Sequence, residues 1–148
     1  MVEQAAARIL VVDDETAIRF TLDAVLRRHG YVVATAANGE EALAWLMQRP
    51  FDLLLIDLKL PGINGLEVAR CVHRCQPGAK VLMLFECGDF NGALADDQAE
   101  HFASILKPAS PEEVLDRVTA ILGHQHALDW PARGRARSVS GAQVASAW

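Results

Sequence analysis

Four residues of this chain carry charge at the ends of short apolar runs: Asp13 and Asp14 after Ile-Leu-Val-Val, Asp57 after Leu-Leu-Leu-Ile, and Lys107 after Ser-Ile-Leu. Runs this short and continuous read as strands buried on both faces, with their carboxyl ends exposed. If the first and third are neighbours in a parallel sheet, ~4.8 Å apart, their terminal carboxylates surround one point in space. An all-oxygen cluster of that kind suits a hard divalent cation, and Mg2+ is the expected occupant. Left alone, three such carboxylates repel and raise one another's pKa, so either a cation binds or one of them stays protonated. With a cation present, Asp57 has the chemistry to attack a phosphoryl group and form an aspartyl phosphate. The Lys107 ammonium can then help neutralise the phosphoryl oxygens.

The elements that must position these residues alternate along the chain. Strands are expected over 8–13, 31–36, 52–57, 80–85 and 102–107, where the text is short, apolar and rich in Val, Leu and Ile. Between them, Ile18, Leu22, Val25 and Leu26 mark a helix over 17–29 that Gly30 stops, and Asn38 caps a second helix with Glu41 three residues on. Leu66, Val68, Ala69 and Val72 mark a third over 64–75, ended by Pro77-Gly78. Ser110-Pro111-Glu112-Glu113 opens the last with a cap, an N1 proline and two acids against the helix dipole. A helix is also expected over 88–98, although Gly88, Gly92 and Asp96-Asp97 lower its propensity. Such alternation implies an α/β fold, a right-handed, doubly wound parallel sheet that binds ligands beyond the carboxyl ends of its strands.

The 148 residues are 51% apolar and 22% charged, the balance of one globular core. No apolar run approaches the ~20 residues of a membrane span, and the N-terminus runs directly into an acidic cluster, so a cytoplasmic location and no membrane partner are expected. The net charge of −5 is uneven: residues 1–122 hold the acids, whereas 123–148 carry Arg133, Arg135 and Arg137 against Asp129 alone. An acidic body argues against nucleic-acid binding through this chain. The organisation expected is a domain over 1–122 and a flexible basic tail or linker over 123–148, which has no apolar periodicity. Cys71, Cys75 and Cys87 are too sparse for a disulfide framework. Cys71 and Cys75, flanking His73 on one helix, read as ordinary thiols rather than a metal pair.

The blocks ILVVDDE, LLLIDLKLPGINGLEV and ILKPASPEEV resemble the three signature blocks of response-regulator receiver domains, a likeness covering residues 8 to about 122. The resemblance implies a flavodoxin-like (βα)5 fold with strand order 2-1-3-4-5. It also implies a sensor histidine kinase or phosphotransfer protein as phosphodonor and a downstream effector protein as reader, and it permits a homodimer. Carried over, Asp57 matches the phosphoacceptor, Asp14 the direct metal ligand, Asp13 a ligand acting largely through water, and Lys107 the lysine that contacts the phosphoryl group. Lys59 matches the residue whose backbone carbonyl reaches the metal. No turnover of a separate substrate is implied; the chemistry is the chain's own phosphorylation and dephosphorylation.

Two positions leave the family pattern. Phe85 stands where the fourth strand usually ends in Thr or Ser, and a phenyl ring cannot donate the hydrogen bond that hydroxyl makes. Ser104 stands where an aromatic ring usually turns inward as that hydroxyl moves. Charge neutralisation by Mg2+ and Lys107 remains available, so phosphoryl transfer to Asp57 is expected to survive while the conformational response is weak or rewired. The alternative is a receiver-like protein-interaction module that works unphosphorylated.

Overall fold

The computed structural model describes residues 6–86 and 102–123. Along them run β1 (Arg8–Val12), α1 (Thr16–Arg28), β2 (Val32–Ala36), α2 (Gly39–Gln48), β3 (Leu53–Asp57), α3 (Gly65–Cys75), β4 (Lys80–Phe85), β5 (Ala103–Leu106) and α4 (Pro111–Leu122). The strands form one parallel sheet in the order β2-β1-β3-β4-β5, a flavodoxin-like arrangement. All five expected strands are present within a residue or two of the bounds read from sequence. The expected helix over 88–98 and the tail from 124 onward lie outside the described residues.

Strand alternation sorts the core into two layers. Leu10, Val12, Leu54, Ile56, Val81 and Met83 pack with α2 and α3 on one face of the sheet. On the other face, Ile9, Val11, Leu53, Leu55, Leu82 and Leu84 pack with α1 and α4. Every residue of β3 is buried, which explains its unbroken apolar text. Burying each such side chain stabilises the fold by ~1.5–3 kcal/mol, so the central strand is a rigid carrier for the residue at its tip.

The helix starts follow the capping chemistry in the sequence. The Asn38 side chain accepts from Glu41 N at 2.8 Å, and Asn64 accepts from Glu67 N at 2.9 Å. Ser110 and Glu113 exchange two hydrogen bonds in a capping box with Pro111 at the first turn. Among the described helices, α1 alone begins without a side-chain cap of its own, because its N-cap is Glu15. The Glu15 backbone N–H instead donates to Asp13 Oδ1 at 2.9 Å, which ties the helix start to the acid cluster.

Candidate acidic site at the strand tips

Val12 pairs with Ile56 and Asp57 with Leu84, so the residues that follow β1 and end β3 leave the sheet side by side. By alternation, Asp13 and Asp57 fall on the face of Val11 and Leu55. Lys107 follows Leu106, the partner of Phe85, and its backbone N–H donates to Phe85 O at 2.7 Å. Its ammonium reaches back across β4 to Asp57 Oδ2 at 2.8 Å. The other carboxylate oxygen, Oδ1, accepts from Lys59 N at 3.1 Å. Asp13, Asp14 and Asp57 each place a carboxylate oxygen within 4.8 Å of the other two. The structure thus brings Asp13, Asp14, Asp57, Lys59 and Lys107 together at one edge of the sheet.

Electrostatics at the site are uneven. Asp13 is fully buried and Asp57 nearly so, while Asp14 is exposed. Burial is the largest influence on Asp13 and pushes its carboxyl up to about 6, with a smaller push from Asp57. The Glu15 N–H and the Lys107 charge act the other way. Mutual repulsion among the acids, the cause expected from sequence, is therefore secondary to desolvation. Asp13 Oδ2 is buried with no hydrogen-bond partner, an orphan acceptor that a native structure rarely tolerates. For Lys107, burial disfavours the ammonium, but the hydrogen bond and charge of Asp57, with Asp13 and Glu15 behind it, outweigh burial and raise its pKa.

An orphan buried oxygen inside an all-oxygen donor set fits a hard divalent cation such as Mg2+. A cation there would satisfy Asp13 Oδ2 and offset the charge of two further carboxylates.

Sequence reasoning missed the roles of two supporting residues. Arg19 Nη1 donates to the Asp13 carbonyl oxygen at 2.8 Å, fixing the turn that carries both acids. Its only sequence signal is a place one turn into the helix after Asp13-Asp14. Gly65, at the start of α3, lies so close to β3 that a Cβ there would run into the Asp57 carbonyl oxygen, and its N–H donates to Leu58 O at 2.9 Å. The two departures from pattern lie apart from the acids. Phe85 is half-buried and packs on the layer of Met83, the opposite face from Leu84 and Asp57. Ser104 pairs with Met83 on that same layer.

A doubly wound parallel sheet with three carboxylates and a lysine at its strand tips puts a charged site where open α/β sheets bind ligands. The family model of the response regulator receiver domain matches residues 9–119, and the chain belongs to that family. It is 40% identical over 115 residues to the transcriptional regulatory protein ResD of Bacillus subtilis, covering 78% of this chain and 48% of that protein. A CheY-like receiver domain protein from Methanospirillum hungatei has a similar structure, with a TM-score of 0.74 and 34% identity over 82% of this chain and 98% of that one. The response regulator TrrA of Thermotoga maritima, in complex with Mg2+ and beryllofluoride, gives a TM-score of 0.67 at 35% identity over 76% of this chain and 96% of that one. The chain spans about half the length of the sequence relatives it matches. It is a receiver domain of two-component response regulators, which is consistent with a phosphoacceptor role. Among the described residues, no helix is long and apolar enough to cross a membrane.

Proposed function

We propose that Asp57 accepts a phosphoryl group from a sensor histidine kinase or phosphotransfer protein, with Asp13, Asp14 and the Lys59 carbonyl holding Mg2+ beside it. The observation that carries this reading is the Asp57 carboxylate held between Lys107 Nζ at 2.8 Å and Lys59 N at 3.1 Å, next to two further acids. An Asp57 oxygen forms the new P–O bond as the P–N bond of the donor phosphohistidine breaks, and the imidazole leaves with the electron pair. Lys107 would release its hold on Asp57 in part and pair with a phosphoryl oxygen, so the charge it neutralises moves from the carboxylate to the phosphoryl group. Arg19 and Lys59 N keep the two loops in place meanwhile. Bound Mg2+ supplies charge neutralisation for the phosphoryl oxygens.

A cleft of about 650 Å³ borders Lys107 and is lined by Glu15, Ile18, Leu22, Leu84, Pro108 and Val114, which supports an apolar seat for the donor beside the acids. Residues 1–122 would form the receiver unit and 123–148 a basic linker, in keeping with relatives of which the matched region is about half. The relative ResD bears the name of a transcriptional regulator, which favours an effector partner for this chain as well. The test is titration with beryllofluoride or a small phosphodonor plus Mg2+, followed by NMR. Shifts around Asp57 in wild type and none in Asp57→Asn are expected; equal spectra for both would end this reading.

Phe85 and Ser104 motivate a second reading, a receiver that recognises its partner without phosphorylation. Its signature would be a partner that binds wild type and Asp57→Asn with equal affinity, with or without phosphodonor.

A further inference from the structure

In the order β2-β1-β3-β4-β5, β2 is an edge strand. Val32 N donates to Ala7 O at 2.9 Å, and Asp13 N donates to Ala36 O at 3.2 Å. In a parallel ladder, that parity turns the backbone groups of Val32, Ala34 and Ala36 toward β1 and those of Val33 and Thr35 outward. Both outward carbonyls are met by side chains. Arg27 Nη2, from α1 on one face of the sheet, donates to Val33 O at 2.7 Å. Trp45 Nε1, from α2 on the other face, donates to Thr35 O at 3.0 Å.

Each of these donors is itself held. Asp23 Oδ1 takes Arg27 Nε at 2.6 Å. The Trp45 ring stands edge-on to Phe51 at 6.4 Å between centroids, and the Arg49 guanidinium lies 5.5 Å from its centre. Two clamped donors from opposite faces, meeting successive outward carbonyls, close an edge that would otherwise be a template for another strand.

We propose that Arg27 and Trp45 are gatekeepers of the β2 edge, and that the surface they mask would pair with the β2 strand of a second copy of this chain. A second copy is the occupant because two identical edges meet antiparallel about a two-fold axis, each supplying the donors and acceptors the other needs. Val32, at the start of the strand, is 48% exposed and would add an apolar contact to that pairing. It follows that any homodimer of wild type forms elsewhere on the domain.

The test compares wild type with the Arg27→Ala, Trp45→Phe double variant by sedimentation over a dilution series, with amide hydrogen exchange read residue by residue. The variant should gain mass with concentration toward twice that of wild type, and the Val33 and Thr35 amides should become protected in step. Thr35→Pro in the same background removes an outward donor without touching the β1 ladder and should reverse both the mass gain and the protection of the Val33 amide. Unchanged mass in a folded variant overturns the proposal. So does association that leaves the Val33 and Thr35 amides unprotected or that Thr35→Pro fails to reverse. If the double variant does not fold by circular dichroism, Trp45→Phe alone, which keeps an aromatic side chain and removes the donor, is read by the same exchange and the same criteria.

Discussion

Replacing Asp13 with Asn should stabilise the metal-free protein, an outcome opposite to that of most changes at a buried polar residue. In the folded chain the Asp13 carboxyl is pushed up to about 6 from an ordinary 3.8, chiefly by burial. Roughly two tenfold steps of proton affinity separate those values, which at ~1.4 kcal/mol per step makes ~3 kcal/mol. The raised folded pKa fixes the sign. Below about 4 the carboxyl is protonated in both states and costs nothing; between about 4 and 6 the unfolded chain ionises first and stability is lost; above about 6 the full cost is in place. Asn keeps an oxygen for the Glu15 N–H and never ionises. At neutral pH with a chelator present, Asp13→Asn should therefore gain up to ~3 kcal/mol, a rise of roughly 10 °C in Tm for a domain of this size. Urea unfolding of both proteins across this pH range measures it. Parallel stability curves for the two proteins, with no convergence toward acid pH, would refute the argument that desolvation of Asp13 destabilises the empty site.

Because Asp13 must ionise to serve as a ligand, Mg2+ affinity should fall ~tenfold per pH unit below about 6 and level off above it, as calorimetric titration would show. Lys107→Met removes the ammonium bonded to Asp57 at 2.8 Å, and the loss of a charged hydrogen bond, ~1.5–3 kcal/mol, should slow phosphorylation by a small-molecule donor roughly ten- to a hundredfold. Gly65→Ala drives a methyl into the Asp57 carbonyl and should cost roughly 1–3 kcal/mol in thermal unfolding while weakening Mg2+ binding, because α3 must shift. Phe85→Thr with Ser104→Tyr restores the hydroxyl and ring to the strands where the family usually carries them. It should enlarge the beryllofluoride-induced NMR shifts beyond the acid cluster relative to wild type.

How much of this was legible in the sequence depends on the range of each interaction. Apolar runs ending in acid or lysine announced the strand tips, because a strand buried on both faces has little freedom in composition. Asn38 and Ser110 announced their helices, since a cap acts within three residues of itself. The unequal fates of Asp13 and Asp14 were not legible: neighbours in sequence, one is fully buried and the other exposed. The roles of Arg19 and Gly65 were missed because each acts on a backbone oxygen brought near only by the fold. Arg27 and Trp45 reach main-chain carbonyls around the sheet edge, and nothing in a helix's own periodicity marks such a contact.

The positions that depart from the family pattern are better understood as a pair than singly. Phe85 and Ser104 lie diagonally across the β4–β5 ladder, where Met83 pairs with Ser104 and Phe85 with Leu106, and strand alternation puts all four on one layer. The usual hydroxyl on β4 and ring on β5 have thus exchanged strands, which keeps one aromatic and one hydroxyl in the same patch. Volume there is roughly conserved, so the exchange need not disturb the layer under α2 and α3. Asp57 faces the other layer, and its contacts to Lys107 and Lys59 run through neither side chain. Acceptance of a phosphoryl group and its report are in this chain separate physical problems. The first is solved at the strand tips by charge, and the second would have to pass through a ring that packs on the far side of β4.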